Sequence, residues 1–222
     1  MTLNNIKKKI VKHKKVIIFF LFLLLFFLIL NDIFSKEIII YDEWAYSIFV
    51  EHLRNDYLTK IMLFITSLGG VLSLILVSLL PFFISKDKKD GVSSIINLIV
   101  ITIVNLILKI AIQRSRPSGF NLIVESGYSF PSGHSMISTA VYGFFIYLVY
   151  KNVKNKILRN LLCLFFFMLI ISICISRIYL GVHYASDVIG GFCISIAYLM
   201  VFVIAVPKIL KFLENKLKKE KK

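Results

Sequence analysis

An uninterrupted apolar run near the start of the chain, VIIFFLFLLLFFLIL at residues 16–30, decides the class of fold. The run holds no charged residue and lies between Lys14-Lys15 and Asn31. A helix that crosses a membrane needs about 20 mostly apolar residues, and lysine side chains beside a shorter run can extend to the interface. We therefore expect this segment to be a membrane-spanning helix.

A secretory signal peptide also combines a basic start with an apolar run. A cleaved signal ends in a small-residue pattern, whereas residues 31–36 here are NDIFSK. We therefore expect the first span to remain uncleaved.

Five further apolar runs are long enough to cross a membrane, at residues 61–85, 93–112, 131–150, 160–176 and 183–206. The composition agrees, because 58% of the residues are hydrophobic and 18% are charged. A soluble domain has about 45–50% apolar and about 25% charged residues. The sequence predicts an all-α, polytopic membrane protein, a bundle of six transmembrane helices that forms one domain over residues 1–222.

The basic residues follow this expected topology. The formal net charge is +15, which in a soluble protein would suggest nucleic-acid binding. Here 20 of the 27 Lys and Arg residues lie in four segments, 1–15, 86–90, 151–159 and 208–222. The positive-inside rule places these segments, with both termini, in the cytoplasm. The charge is thus explained without nucleic acid, and the tail 208–222 fits both a solvated tail and one lying on anionic membrane lipids.

The extracytoplasmic segment 31–60 has an amphipathic pattern. Its apolar residues recur at helical spacing with acidic residues between them, which suits the membrane interface. These apolar residues are Tyr41, Trp44, Ile48, Phe49 and Leu53. An interfacial anchor and a lid beside a lipid entrance both fit the pattern of residues 41–53.

Ionisable side chains are concentrated at the extracytoplasmic ends of the second-half helices. Such side chains are costly at membrane depth and mark functional sites. They are Lys109, Arg114, Arg116, His134, Arg177, His183 and Asp187. The three cysteines, in contrast, lie inside apolar runs, where we expect packed thiols rather than disulfides or a metal site.

His183 and Asp187 are four residues apart, a spacing that puts both on one face of a helix. A carboxylate there can fix the imidazole tautomer and leave the other ring nitrogen as a nucleophile or base. The spacing alone also fits a pair that only satisfies its own hydrogen bonds.

The segment Pro131-Ser132-Gly133-His134 has the pattern of a helix start, where free backbone amides favour an anion. Ser132 would add a hydroxyl donor, Gly133 would let the anion approach closely, and His134 would carry a proton.

Three cations complete the candidate anion site. Lys109, Arg116 and Arg177 have the charge and geometry to hold phosphate oxygens, although each alone could be a residue that extends to the interface. Arg114 has no partner pattern, and we expect it to be interfacial or structural. The carboxylates that a magnesium or zinc site would need are not found nearby in the sequence, so we expect no metal.

Three ordered motifs in this set resemble those of the type-2 phosphatidic acid phosphatase (PAP2) superfamily of membrane lipid phosphatases. KIAIQRSRP at 109–117 matches K-x6-R-P, PSGH at 131–134 matches in full, and SRIYLGVHYASD at 176–187 matches S-R-x5-H-x3-D. The resemblance implies a metal-independent enzyme without cofactors, which acts on a lipid phosphate near the non-cytoplasmic surface.

The resemblance also implies a role for each residue. His183 would attack phosphorus and form a phosphohistidine, Asp187 would orient it, and His134 would protonate the leaving oxygen and then activate water. The phosphate oxygens would be held by Lys109, Arg116, Ser132, Gly133 and Arg177.

The motifs recognise phosphate and leave the lipid open. We rank undecaprenyl pyrophosphate first, with phosphatidylglycerophosphate or phosphatidate as the alternative. A lipid phosphotransferase on the same site is a further alternative. A vanadium haloperoxidase, whose motifs are similar, is disfavoured because those proteins are soluble. The complete motif set argues against a non-catalytic membrane protein.

Overall fold

The computed structural model describes residues 3–35 and 39–220, and every regular element in those ranges is helical, as the all-α class requires. In chain order the elements are α1 (Leu3–Ser35), α2 (Ile40–Tyr46), a π-helical segment (Ser47–His52), α3 (Asp56–Leu68), α4 (Val71–Leu79), α5 (Pro81–Ile84), α6 (Lys88–Ile112), α7 (Gly133–Asn152), α8 (Lys156–Tyr179) and α9 (Ala185–Glu220). Parts of the basic termini and of segment 31–60, namely 1–2, 36–38 and 221–222, lie outside the described residues.

Within the described residues, four helices are long and apolar enough to cross a membrane, or five if α3 and the helices after it form one bent span. The expected count of six is therefore not confirmed. Among the six expected spans, the one outside this set is α7, which has 20 residues but carries buried polar side chains such as Ser135, Ser138 and Thr139. These side chains lower its hydropathy, and neighbouring helices cover it.

The second apolar run, expected as one helix over 61–85, is broken. The chain bends by 49° between α3 and α4, at Gly69 and Gly70. A Cβ atom at Gly69 would lie 2.7 Å from Ile173 Cγ2 and 2.9 Å from Ser138 Oγ, so only glycine fits this approach. The apolar pattern could not indicate the bend, because it depends on packing against α7 and α8.

Capping residues set several helix boundaries that hydropathy placed too far inside. Asp87 accepts a hydrogen bond from Lys89 N at 3.0 Å, and α6 begins at Lys88 rather than at residue 93. Asn155 accepts from Ile157 N at 2.9 Å, and α8 begins at Lys156 rather than at residue 160. These polar side chains satisfy the backbone N–H groups that a helix start leaves free.

The core is built around α7, which packs against α6, α8 and α9. On one side Met136 and Ala140 meet Ile101, and on another Val141 meets Ile173, all fully buried. The ends of α6 and α8 and the starts of α7 and α9 converge at one end of this core. Ser132 N, for example, donates to Asp187 O at 3.1 Å, which joins the starts of α7 and α9.

The short helix α2 lies against the start of α9 rather than standing apart. Asp42 accepts hydrogen bonds from Ser186 N at 2.7 Å and from Ser186 Oγ at 2.6 Å. Trp44 is 65% exposed. The segment is helical, as its periodicity predicts, but one of its acidic residues faces the protein instead of water.

Candidate active site

His183 and Asp187 meet at the start of α9, although not on one face of a helix. The expectation of a shared helix face is wrong, because α9 begins at Ala185 and His183 lies in the turn before it. Nδ1 of His183 lies 3.4 Å from Oδ2 of Asp187, and both side chains are almost fully buried. Tyr184 N donates to the same Oδ2 at 2.9 Å and fixes the carboxylate across the turn.

The neighbours of His183 define its tautomer. NH1 of Arg116 lies 3.1 Å from Nε2 of His183, and a guanidinium group can only donate, so Nε2 accepts. The ring proton is therefore on Nδ1, which faces Asp187 and the Ser129 hydroxyl. Burial lowers the pKa of His183 to about 4, so the imidazole is neutral at pH 7 and Nε2 carries a free electron pair.

Ser129 is a site residue that the sequence analysis missed. Its hydroxyl donates to Oδ2 of Asp187 and lies 3.2 Å from Nδ1 of His183, and the residue is fully buried. Its backbone N donates to Arg114 O at 2.8 Å. The one available signal was its place two residues before the PSGH motif.

The PSGH segment does form a helix start, with Ser132 as the N-cap of α7. Ser132 Oγ accepts from Ser135 N and, at 3.1 Å, from Ser135 Oγ, which leaves the proton of the Ser132 hydroxyl available for a ligand. A Cβ atom at Gly133 would lie 3.3 Å from Asn105 Oδ1 and 4.0 Å from Lys109 Cε. The backbone at Gly133 therefore approaches the lysine closely.

His134 lies in the first turn of α7 and borders an apolar cavity of about 550 Å³. The cavity runs between α4, α6 and α7, with Leu74, Ile103 and Ile137 among the residues of its wall. The imidazole therefore stands between the charged residues of the site and an apolar space.

The loop between α6 and α7 holds two of the expected cations through neutral backbone carbonyls. Lys109 Nζ donates to Tyr128 O, and Arg116 donates to Gly127 O at 2.9 Å and to Ser126 O at 3.0 Å. Carbonyl oxygens fix these side chains in place but do not cancel their charge. The two cations thus remain suited to an anionic ligand.

Arg177 has a different environment. Its NH1 donates to Thr66 Oγ1 at 2.7 Å, and its NH2 pairs with Glu125, a second site residue that the sequence analysis missed. Burial opposes the ionisation of Glu125, but the charge and hydrogen bond of Arg177 hold its pKa below the usual value. Within the described residues the buried Nε of Arg177 has no hydrogen-bond partner. An unpaired buried donor is costly, and an anion would satisfy it.

Arg114 was expected to be interfacial or structural, without a partner. The structure instead places it between Asp187 and Asp42, with N–O distances of 2.6 and 2.9 Å. The reason is the docking of α2, which brings Asp42 to the site from a distant part of the chain.

The structure thus brings together all eight candidate residues at one end of the helical core. The side chains of His134, Arg116 and Arg177 lie within electrostatic range of His183. In the part of the chain that is described, no three His, Cys, Asp or Glu residues are grouped as a metal site. The arrangement combines a neutral imidazole oriented by a carboxylate, a second imidazole and three cations. Such a set of groups is suited to phosphoryl transfer, which needs positioned positive charge and proton carriers.

Known proteins match both the sequence and the fold. The model of the PAP2 superfamily matches residues 90–211. Phosphatidylglycerophosphatase B of Bacillus subtilis is 33% identical over 159 residues, which cover 68% of this chain and 76% of that protein. Sphingosine-1-phosphate phosphatase 1 of Rattus norvegicus is 30% identical over 68% of this chain but only 35% of its own length.

Two solved structures share the fold. A PAP2-type phosphatidylglycerolphosphate phosphatase from Bacillus subtilis superimposes with a TM-score of 0.75 and 28% identity, over 85% of this chain and 95% of that one. LpxE of Aquifex aeolicus superimposes with a TM-score of 0.63 at 20% identity, over 76% of this chain and 97% of that one, and supports the fold alone. The chain therefore belongs to the PAP2 superfamily and is a membrane lipid phosphatase, a phosphoric-ester hydrolase.

Proposed function

We propose that this enzyme hydrolyses the phosphomonoester of a glycerophospholipid, with phosphatidylglycerophosphate as the foremost substrate. The main support for this substrate is the 33% identity to a phosphatidylglycerophosphatase over 76% of the length of that protein. This similarity favours the alternative of the sequence analysis over undecaprenyl pyrophosphate, which we now rank second.

In the proposed first step, the electron pair of His183 Nε2 attacks phosphorus as the bond to the lipid oxygen breaks. Arg116 holds Nε2 in the resting site, so its guanidinium moves from the ring nitrogen to a phosphate oxygen when substrate binds. Lys109, Arg177 and the amides of Ser132 and Gly133 hold the remaining oxygens. Such positioned charges are the main source of catalysis in phosphoryl transfer.

His134 gives its proton to the departing lipid oxygen in this step. In the second step it takes a proton from water, which attacks the phosphohistidine and releases inorganic phosphate. The apolar cavity beside His134 supports this role, because it places room for the lipid on the side where the leaving oxygen must be.

Glu125 supports a monoester over a diphosphate. Its carboxylate already pairs with Arg177, inside the set of groups proposed to hold phosphate. The second phosphate of a diphosphate is joined directly to the first and would bring its negative charge towards this carboxylate. In phosphatidylglycerophosphate the other phosphate lies three carbons away, and the single free hydroxyl of the glycerol between them could donate to Glu125.

We further propose six membrane spans in a single domain, with both termini in the cytoplasm and the site on the extracytoplasmic side. The distribution of Lys and Arg supports this orientation. So does the helix order, since the ends of α6 and α8 and the starts of α7 and α9 carry the site. The sixth span in this count is α7.

The test is phosphate release by the detergent-purified protein, with EDTA present, from phosphatidylglycerophosphate, phosphatidate and undecaprenyl pyrophosphate in parallel. We expect the highest kcat/KM for phosphatidylglycerophosphate. A preference for the diphosphate would overturn the proposed substrate class, and transfer of phosphate to a second lipid without release would favour a phosphotransferase.

Two variants test the mechanism. His183→Ala should abolish turnover and the acid-labile phosphoenzyme, because no nucleophile remains. Asp187→Asn should keep the fold but lose most of kcat, and the corresponding change in an unrelated protease triad costs about 10⁴-fold. Normal turnover by folded His183→Ala protein would exclude this residue as the nucleophile.

A further inference from the structure

Arg114 lies between two carboxylates at the edge of the site. Its NH1 donates to Oδ1 of Asp187 at 2.6 Å, and its NH2 donates to Oδ2 of Asp42 at 2.9 Å. The guanidinium carbon also lies 4.2 Å from the ring centre of Tyr184. The exposed fraction of the three charged side chains is 15% for Arg114, 8% for Asp42 and 0% for Asp187. Water screens such buried pairs weakly, so a change in one charge is felt by the next.

Besides its ion pair with Arg114, Asp42 also binds the start of α9. Its two oxygens accept from the backbone N and the hydroxyl of Ser186, a residue 144 positions later and next to Asp187. The backbone N–H groups of a first helical turn need acceptors from outside the helix, and α2 supplies one here. The docking of α2 therefore fixes the turn that carries the catalytic carboxylate.

The two oxygens of Asp187 have separate partners. Arg114 donates to Oδ1, whereas Ser129, Tyr184 N and the imidazole of His183 face Oδ2. Without Arg114 the carboxylate would lose the group that prevents its rotation. Arg114 also cancels part of the negative charge that Asp187 presents to His183, and Asp42 in turn cancels part of the charge of Arg114.

We propose that Asp42 and Arg114 form a positioning pair, which orients the carboxylate of Asp187 and sets how strongly its charge acts on His183. The inference rests on the proposed role of His183 as nucleophile. Neither member of the pair contacts the groups proposed to hold phosphate, so the pair acts on kcat and leaves KM unchanged.

If the pair acts in this way, removal of either member should shift the pKa of His183, and the two shifts should be opposite in sign. Arg114→Gln exposes His183 to the full charge of Asp187, which favours the imidazolium and raises the pKa of His183. Asp42→Asn leaves Arg114 uncompensated, which disfavours the imidazolium and lowers this pKa, while the amide oxygen can still accept from Ser186 N. Arg116, Arg177 and His134, from three other parts of the chain, also act on His183. Glu43 of α2 lines the same cavity as His183. Neither substitution replaces any of these four groups.

The experiment uses the full chain in detergent and two readouts. Exchange of the imidazole C2 hydrogen, followed by mass spectrometry of the peptide that contains His183, gives the pKa of this residue without turnover. Steady-state phosphate release from the substrate that the wild type prefers gives kcat and KM. We expect a loss of kcat of about 10–100-fold in each variant, the range found when residues that orient the side chains of a metal site are replaced. The pKa shifts should be opposite in sign.

Two further variants separate positioning from charge and from folding. Arg114→Lys keeps the charge but loses the fork that holds both carboxylates, so kcat should fall while the pKa of His183 stays near the wild-type value. Glu51→Gln makes the same charge change as Asp42→Asn at an exposed position of the neighbouring π-helical segment and should match the wild type in both readouts.

The outcomes distinguish this inference from the proposed function. Loss of kcat without opposite pKa shifts, as a merely structural pair would give, overturns the positioning pair, and so does a change confined to KM. A different result is that the two variants show opposite pKa shifts while the wild-type protein forms no phosphohistidine. This result would support the electrostatic coupling and overturn the proposed mechanism instead.

Discussion

At the scale of single residues, the chemistry of the site depends on what each neighbour of His183 is able to donate. Arg116 has only N–H groups, so its approach at 3.1 Å requires an electron pair on Nε2. Ser129 and Asp187 then take the Nδ1 side. The resting site thus holds the proposed nucleophile in the tautomer that attack on phosphorus requires, before any substrate arrives.

The low pKa of His183 predicts a wide acid range for activity. Burial lowers this pKa from 6.5 to about 4, so the proposed nucleophile stays neutral well below pH 6. We expect the acid limb of kcat/KM to lie below pH 5.5 once the second ionisation of the substrate phosphate, titrated by phosphorus NMR, has been divided out. A corrected limb near 6.5 would contradict the buried, neutral imidazole.

The same shift has a consequence for stability. An unfolded histidine binds a proton below about pH 6.5, whereas the folded residue resists protonation down to about 4. The contribution of His183 to the free energy of unfolding is therefore complete above pH 6.5 and falls as the pH is lowered towards 4.

Glu125 predicts a change in substrate preference. Glu125→Gln removes the negative charge beside Arg177 but keeps a group that accepts hydrogen bonds. We expect the ratio of kcat/KM for undecaprenyl pyrophosphate to that for phosphatidylglycerophosphate to rise about tenfold, the effect of about 1.4 kcal/mol. Glu51→Gln, at an exposed acid of the π-helical segment, is the control, and an equal ratio in both variants would exclude Glu125 as a source of selectivity.

At the scale of elements, the break between α3 and α4 brings the backbone of Gly69 against α7, the helix that carries His134. A methyl group at Gly69 would meet Ile173 at 2.7 Å and His134 Cδ2 at 3.2 Å. Gly69→Ala should lower the free energy of unfolding by about 1–3 kcal/mol, as overpacking does, and should also lower kcat because His134 is displaced.

Thermal unfolding and phosphate release on the same preparation check this prediction. Gly143→Ala is the control, because its added methyl group would meet Leu199 Cδ1 at 2.6 Å, about two and a half turns along α7 from His134. Leu199 can shift and alanine favours a helix over glycine, so that variant should keep kcat per folded molecule and lose less stability than Gly69→Ala. Equal catalytic losses in both would mean that the break does not position His134.

The elements differ in how far the sequence could predict them. Hydropathy located the apolar helices, and the PSGH pattern located the start of α7, because both signals are local. The Gly69-Gly70 dipeptide is a local signal of a break, which hydropathy alone overlooks. The docking of Asp42 on Ser186 depends on contacts between distant segments, so no local pattern indicated it. The partners of Arg114 were missed for the same reason, since Asp42 comes from α2 and Asp187 from α9.

At the scale of the whole molecule, the proposed orientation can be tested by labelling. Val124 is fully exposed in the loop between α6 and α7, and Lys154 is exposed in the basic loop between α7 and α8. In a background without the three native cysteines, Val124→Cys should react with a membrane-impermeant maleimide in intact cells. Lys154→Cys should react only after permeabilisation, and the reverse pattern would invert the topology.

The first and last described helices, α1 and α9, pack along each other, with the rings of Phe22 and Phe192 6.1 Å apart. Since a chain is made from its N-terminus, α1 lacks this partner until α9, which begins at Ala185, has been synthesised. The start of α9 also carries Asp187, so the packing of α9 against α1 completes the proposed catalytic pair at the same time. We therefore expect the nascent enzyme to be inactive until α9 has been made and has entered the bundle.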